Sequence, residues 1–507
     1  MAIPLFHTVL SWFLKKRVHD IELFIKYPHE VQSEQLLNLI KYAKNTDMGK
    51  KFGFDDIKTY DDFSSRVPVK KYEEIVSMID ACRKGKQNIF WPSNIKWFAK
   101  SSGTTNDKSK FIPISNESLE NCHFKGGKDM LSLYFSNNEK SSLFQGKALR
   151  LGGSRALYED NNTYFGDLSA IIIDNLPLWA EYVSAPSHKV SLMDEWEVKL
   201  EAIVEETLNE DIRSMAGVPS WMMVLLQKIL SKSGKSNILE IWPNMEVYFH
   251  GGVNFIPYKN QYKKLFPSSE MNYIEIYNAS EGFFGVQDRL NSDDMLLMLD
   301  YGIFYEFIAM SCYGKQNEII IGLNDVKIGE QYAIIITTNS GLWRYHIGDT
   351  IKFTCLSPYR IKITGRTKHF INVFGEEIVI ENTDSALEIV CKKYKLEMID
   401  YTAAPIFMKG NEKGGHEWLI EFKNPPKNIK NFSEDLDKTL QRINSDYQAK
   451  RYKNMTLNCL KVNVAKKDLF YSWLKKKGKI GGQHKVPRLS NNRNLIEELL
   501  DYEAALS

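Results

Sequence analysis

Residues 100–115 read Lys-Ser-Ser-Gly-Thr-Thr-Asn-Asp-Lys-Ser-Lys-Phe-Ile-Pro-Ile-Ser. An apolar run, Ile95, Trp97 and Phe98, enters this stretch as a strand end, and residues 111–114 leave it as a second strand. Between them, Gly103 lets the backbone approach an anion, and Ser101, Ser102, Thr104 and Thr105 offer hydroxyl donors. Lys108 or Lys110 can bring positive charge, and Asn106 tolerates the left-handed backbone such loops use. This is the composition of a phosphate cradle, and equally that of a polar surface turn. The rest of the chain decides between them.

Upstream, residues 33–43 carry Leu36, Leu37, Leu39 and Ile40 at helical spacing behind Ser33, a good N-cap, and residues 56–85 predict short helices broken at Pro68. Downstream, Leu151-Gly-Gly-Ser-Arg155 and Tyr164-Phe-Gly-Asp167 flank the apolar residues 171–173; they read as turns between core elements or as the lining of an organic-substrate pocket. A helix over 195–209, a strand over 212–216 and a helix from Val218-Pro-Ser220 to Leu230 follow. Val247-Tyr-Phe-His-Gly-Gly-Val253 is a strand ending in two glycines, and Tyr273-Ile-Glu-Ile-Tyr277 is another, running into Asn-Ala-Ser-Glu-Gly. Strands alternating with helices predict an α/β sheet whose ligands gather beyond the strand ends.

From 295 to 352 the strands become closely spaced, as in an antiparallel unit, until Trp343-Arg-Tyr-His-Ile-Gly-Asp-Thr350 interrupts the pattern with polar groups. Beyond Gly365 helix and strand alternate afresh, which predicts a small α+β domain with its own core; the boundary is placed at residue 365. A basic, glycine-rich stretch at residues 475–488 reads as a solvated loop or as a mobile loop that carries a lysine to phosphate.

The chain has 507 residues, more than one hydrophobic core accommodates, so two domains are expected, 1–364 and 365–507. A net charge of only +3 argues against a general nucleic-acid binder. Six cysteines without a C-x-x-C pair suggest neither a zinc site nor a disulfide framework and fit a reducing cytoplasm. Residues 1–14 are apolar but too short to span a bilayer and lack a leading positive charge, so an amphipathic helix is expected there, with no stable membrane insertion.

Four pieces stand in order: Ser101-Ser-Gly-Thr-Thr-Asn-Asp-Lys-Ser-Lys110, Tyr277-Asn-Ala-Ser-Glu281, Tyr345-His-Ile-Gly-Asp349, and Gly365-Arg366 with the late Lys485-Val-Pro-Arg488. Their order resembles that of the adenylate-forming enzymes: acyl-CoA ligases, luciferases and adenylation domains. Phe249-His-Gly-Gly-Val-Asn-Phe255, Phe370-Ile-Asn-Val-Phe-Gly-Glu-Glu377 and Gln483-His-Lys-Val-Pro-Arg488 bring the resemblance closer to the auxin-responsive acyl acid-amido synthetases and their bacterial relatives.

The resemblance implies an α/β, two-domain adenylate-forming fold. Its large N-terminal domain has sheets clad by helices, with an antiparallel β unit, and its small α+β C-terminal domain is a mobile lid. It also implies ATP and Mg2+ as cofactors. Ser101, Ser102, Gly103, Thr104 and Thr105 would hold phosphates, with Lys110 supplying charge. Gly251 and Gly252 would lie against adenine, Tyr277 and Ser280 would flank the nucleotide, Glu281 would help place magnesium, and Asp349 would accept from the ribose hydroxyls. The substrates would be a carboxylic acid and an amine, most naturally an amino acid; Arg155, Arg344 and Arg366 are candidate seats for its carboxylate and equally candidates for structural ion pairs. The rivals are a CoA ligase of the same fold and a nucleotide-binding protein without turnover. Two positions depart from the plant pattern: His346 stands where arginine is usual, and Glu377 where a lysine touches phosphate. Lys485 is then the expected catalytic lysine.

Overall fold

The computed structural model describes residues 17–505 except 102–109, 154–157, 161–162, 253–254, 256–257, 317, 368–369, 377, 409–411, 453–455 and 478–485. The segment expected to form an amphipathic helix at residues 1–14 lies outside them. The chain divides into two compact units: one takes in the residues up to Ser101, then Lys110–Gly252 and Lys263–Thr367, and the other is built on Lys368–Ser507 with Val253–Tyr262. Among the described residues no helix is long and apolar enough to cross a membrane.

The first unit opens with helical cladding. Its helix Pro28–Ala43 begins five residues before Ser33, because Pro28 fixes the backbone of the first turn and lacks the N–H that would go unpaired there. Buried inside that helix, Gln32 donates to the carbonyls of Leu299 (2.8 Å) and Ile303 (2.9 Å) and accepts from the Tyr305 N–H (2.9 Å). The side chain next to the expected cap thus ties the helix to the backbone around strand Ile303–Ala309. Helices Tyr60–Arg66 and Tyr72–Arg83 follow, with Pro68 between them.

A four-stranded sheet joins Lys110–Ile114, Trp97–Ser101, Thr163–Gly166 and Tyr158–Asp160 in that order. Tyr164 and Phe165, read from their glycine as turn residues, are strand residues: the Tyr164 N–H donates to the Lys96 carbonyl at 2.7 Å, and its ring lies 5.0 Å from that of Trp97. The apolar residues 171–173 belong to helix Leu168–Asp174.

The second sheet has twelve strands. Ser184–Ala185, Lys147–Arg150, Ile212–Gly217, Val247–His250 and Asn272–Ala279 run parallel. Gly282–Val286, Met295–Leu297, Tyr359–Arg366, Tyr345–Leu356, Gln331–Thr338, Ile303–Ala309 and Ile320–Ile321 continue it antiparallel. The antiparallel unit is therefore an extension of the α/β sheet. Residues 343–350 do not interrupt it either. Strand Tyr345–Leu356 runs through them, and the register against Gln331–Thr338 slips where Ala333 faces Thr350 and Ile335 faces His346. A bulge absorbs the surplus residues and re-aims the side chains on it.

The antiparallel part curls. Asn272–Ala279 and Tyr345–Leu356 stand four strand steps apart in the sheet, a span of roughly 19 Å if the sheet were flat. Yet the Tyr277 hydroxyl donates to Asp349 Oδ2 at 2.7 Å. Inside the curl Phe284, Tyr305, Phe307, Phe353 and Ile361 form one buried apolar cluster.

The other unit has a sheet of Met398–Ile406, Gly415–Phe422 and Lys461–Val464, a short pair Phe370–Ile371 with Ile378–Val379, and helices including Ile380–Tyr394, Ile429–Ile443 and Asn494–Ala505. Within it the buried Glu376 accepts from the Phe374 N–H (2.6 Å) and meets His416 Nε2 at 2.8 Å, fixing the Phe370–Glu376 part of the sequence motif to the sheet.

Candidate functional site

Parallel strands end along one edge of the twelve-stranded sheet, and the glycines singled out in the sequence lie there. A side chain at Gly251 would bring its Cβ within 2.4 Å of the Ile276 carbonyl oxygen, and Gly252 has φ +80°, a conformation favouring glycine. The chain leaving strand Val247–His250 can therefore lie flat against its neighbour and offer bare backbone to a planar ligand. His250, last in that strand, is neutral, its imidazole pushed down to about 3 by burial.

On the next strand the turn of the hairpin is Ser280-Glu281, since Ala279 faces Gly282 across it. Glu281 is 8% exposed and Asp349 7%, so both carboxylates sit in nearly dry surroundings at the same curled end of the sheet as Tyr277. Asp349 stands in the bulge beside Gly348, at φ +98°, whose carbonyl accepts from the Thr367 N–H at 2.8 Å. Tyr277 engages one oxygen of Asp349 and orients the carboxylate.

Ser101 and Lys110 face each other as the last register pair of their two strands. Ser102, Gly103, Thr104 and Thr105 lie outside the described residues, as do Lys485, Glu377 and the side chains of Arg155 and Arg366. The Lys110 ammonium stands 5.7 Å from the Tyr72 ring centroid, and Tyr72 in turn accepts from the Phe111 N–H at 2.8 Å. Lys110 also acts on His346. Burial pushes that imidazole down to about 4, with the charges of Lys71 and Lys110 pressing the same way. His346 is thus neutral at physiological pH and supplies no positive charge there.

Arg344 is not a substrate seat. Its guanidinium makes bonds of 2.9 and 2.7 Å to both oxygens of buried Glu306 and donates to the carbonyls of Ser64 (2.9 Å) and Val67 (2.8 Å). This fork holds Arg344 itself at φ +45°, just before the bulged strand. The residue is a strut under Asp349.

Sequence reasoning missed His123. It lies in a π-helical stretch, Leu119–Phe124, with Nδ1 3.1 Å from Asn278 Oδ1, and Asn278 follows Tyr277 directly. Its neighbour Cys122 accepts from the Phe283 N–H at 3.1 Å, and Gly126 leaves room for the Phe283 ring, which a Cβ would approach to 2.5 Å. The π-helical stretch thus braces the hairpin. Burial pushes His123 down to about 4, and its Nε2 is buried without a partner among the described residues. The only local hint was composition: Cys-His before a double glycine in an otherwise helical pattern.

The comparisons with known proteins follow this layout. The GH3 family N-terminal domain matches residues 17–271, the GH3 family central domain 296–366 and the GH3 family C-terminal domain 381–494. An indole-3-acetic acid-amido synthetase, GH3.3 of Arabidopsis thaliana, is 22% identical over 96% of this chain and 93% of its own length. A jasmonoyl–L-amino acid synthetase, JAR6 of Nicotiana attenuata, is 23% identical over 95% and 94%. Among solved structures, GH3.15 acyl acid amido synthetase superposes with a TM-score of 0.61 at 17% identity, covering 97% of this chain and 95% of that one. The fold is the one expected from the motif order, and with its N-terminal match alone spanning half of the sequence, the chain belongs to the GH3 family.

Proposed function

We propose that the protein is an ATP-dependent acyl acid-amido synthetase that activates a carboxylic acid as its acyl-adenylate and passes the acyl group to an amine, an amino acid by preference. The observation that carries this reading is the 2.7 Å bond between Tyr277 and Asp349, which joins two motifs 72 residues apart at the curled end of the sheet. Family membership and the names of the relatives support the acyl donor and the amino-acid acceptor.

In the first half-reaction the acid's carboxylate attacks the α-phosphate and pyrophosphate leaves. The carboxylate is already ionised, so positioning and charge stabilisation suffice. Ser101, Ser102, Gly103, Thr104 and Thr105 cradle the phosphates, with Lys110 at the rim. Gly251 and Gly252 lie against adenine, Tyr277 and Ser280 flank the nucleotide, and Asp349, an acceptor-only group with one oxygen already oriented by Tyr277, takes the ribose hydroxyls. Glu281 fits a hard divalent ion: it is a carboxylate in a nearly dry turn, and Mg2+ takes one or two protein carboxylates with phosphate oxygens completing its shell. Bound there, the ion neutralises phosphate charge. Residues 365–507 act as the lid that brings Lys485 to the α-phosphate, and the second half-reaction releases AMP as the amine attacks the acyl carbonyl.

The test is a screen of carboxylic acids for acid-dependent release of pyrophosphate from Mg-ATP. Asp349→Ala is expected to weaken nucleotide binding by roughly 1.5 to 3 kcal/mol with the fold retained, the scale of a hydrogen bond to a charged acceptor. Nucleotide affinity equal to the parent's would remove Asp349 from the ribose site.

A further inference from the structure

The stretch Leu151-Gly-Gly153, singled out in the sequence, follows strand Lys147–Arg150 at the edge where the other parallel strands end. Its conformation is fixed from two sides. Lys199, 1% exposed on helix Trp196–Thr207, donates to the carbonyls of Gly152 and Gly153 at 2.9 Å each, and the Gly153 N–H donates to Ser169 Oγ at 2.8 Å. The ammonium of Lys199 is itself brought down to about 8 by burial, against the pull of Asp167 and Asp194. A Cβ at Gly152 would come within 2.5 Å of Ile173 Cδ1. This much backbone is held by a buried cation at the mouth of a strand whose last residue is an arginine.

Arg150 differs from the buried arginines among the described residues. Arg344 holds Glu306, Arg360 holds Asp288 and Arg451 holds Asp437. Arg150 has no carboxylate, carbonyl or hydroxyl partner among the described residues, and burial alone draws its guanidinium down to about 10. Across the sheet it is level with Ala216, Phe249 and Ile274, all apolar. Its side chain is nevertheless only partly enclosed, so a ligand can reach it. An uncompensated guanidinium in apolar surroundings costs stability, and a fork of donors matched to a planar anion is what would repay it.

We propose that Arg150 is the seat of a substrate carboxylate remote from the reacting centre. The inference rests on the acyl-transfer reading above and adds a ligand class to it. By strand spacing, the Arg150 backbone lies three strand steps from Ile274 and a further three residues short of Tyr277, a separation on the order of 17 Å. That separation of backbones suits a seat remote from the ribose-binding end. Two sources share this chemistry: the α-carboxylate of the amino acid acceptor, and a second carboxylate on a dicarboxylic acyl donor.

The test compares the parent with Arg150→Met and Arg150→Lys. Calorimetry with the common L-amino acids and their amides, and with C4 to C10 dicarboxylic acids and the matching monocarboxylic acids, reads the seat without turnover. The expected result is that parent protein prefers one carboxylate-bearing series over its neutral or singly charged counterpart, that Arg150→Met loses this preference by about 10- to 100-fold, and that Arg150→Lys keeps part of it. Preference among amino acids assigns the acceptor, and preference among dicarboxylic acids the donor. The melting temperature of Arg150→Met should equal or exceed the parent's, since a partly enclosed charge without an ion-pair partner is removed. Absence of any preference in the parent, an unchanged preference in Arg150→Met, or a clear fall in its melting temperature with binding retained would each overturn the proposal. Failure of pyrophosphate release with every acid would sink the acyl-transfer reading while this binding comparison still stands.

Discussion

Arg344→Ala is expected to destabilise the first unit by about 3 to 5 kcal/mol, the cost of leaving the partner of a buried ion pair uncompensated. Glu306, 1% exposed, would lose both hydrogen bonds from the guanidinium and keep only the Tyr60 hydroxyl, at 2.9 Å. The carbonyls of Ser64 and Val67 would lose their donor as well. Arg344→Lys should recover only part of the loss, since an ammonium cannot span both carboxylate oxygens and two carbonyls at once. The double variant Arg344→Met with Glu306→Gln should be less harmed than Arg344→Ala. Chemical denaturation reads all three; equal stability of Arg344→Ala and parent would refute the role as a strut. Because Arg344 precedes the bulge carrying Asp349, nucleotide affinity should fall along with stability, and the two losses should track each other across the series.

Lys485→Ala is expected to slow acyl-adenylate formation by about 10²- to 10³-fold, the scale of removing one charge-stabilising donor from a polar transition state. Attack of the amine on preformed adenylate should be much less affected. The reason is division of labour: positive charge is needed while pyrophosphate departs, and lid closure commonly completes a site for one step of a reaction. With His346 neutral, the proposed function would lay that demand on Lys110 and Lys485. Rapid-quench measurement of the two half-reactions separates them, and equal slowing of both would remove Lys485 from the adenylation step.

The local parts of the fold were legible in the sequence. Strands at 247–250 and 272–279 followed from apolar runs, and the double glycine at 251–252 was visible as the end of the first. What failed was reading polar residues as breaks. The strand Tyr345–Leu356 passes through His346 and Asp349 because a bulge accommodates them, and Tyr164 is in a strand although a glycine follows closely. Ser33 was a good cap in isolation, but Pro28 suits the first turn, and the bonds of Gln32 to the backbone of Leu299, Ile303 and Tyr305 lie inside the helix it starts. Pairs far apart in the sequence were beyond a local reading. Tyr277 with Asp349, His123 with Asn278 and Arg344 with Glu306 are joined by sheet curvature and helix packing, neither of which leaves a periodic trace in one sequence. The unpaired state of Arg150 was equally invisible, since it depends on what the fold leaves around the residue.

The central claim is amide formation through an acyl-adenylate. Protein, Mg-ATP and an acid that releases pyrophosphate are incubated with either the common amino acids or CoA, and AMP and product mass are followed together. An amino acid should drive AMP release and yield a product whose mass is that of acid plus amino acid less one water. Release driven by CoA alone, with a thioester as the sole product, would contradict the account, and so would the absence of AMP release with both acceptors.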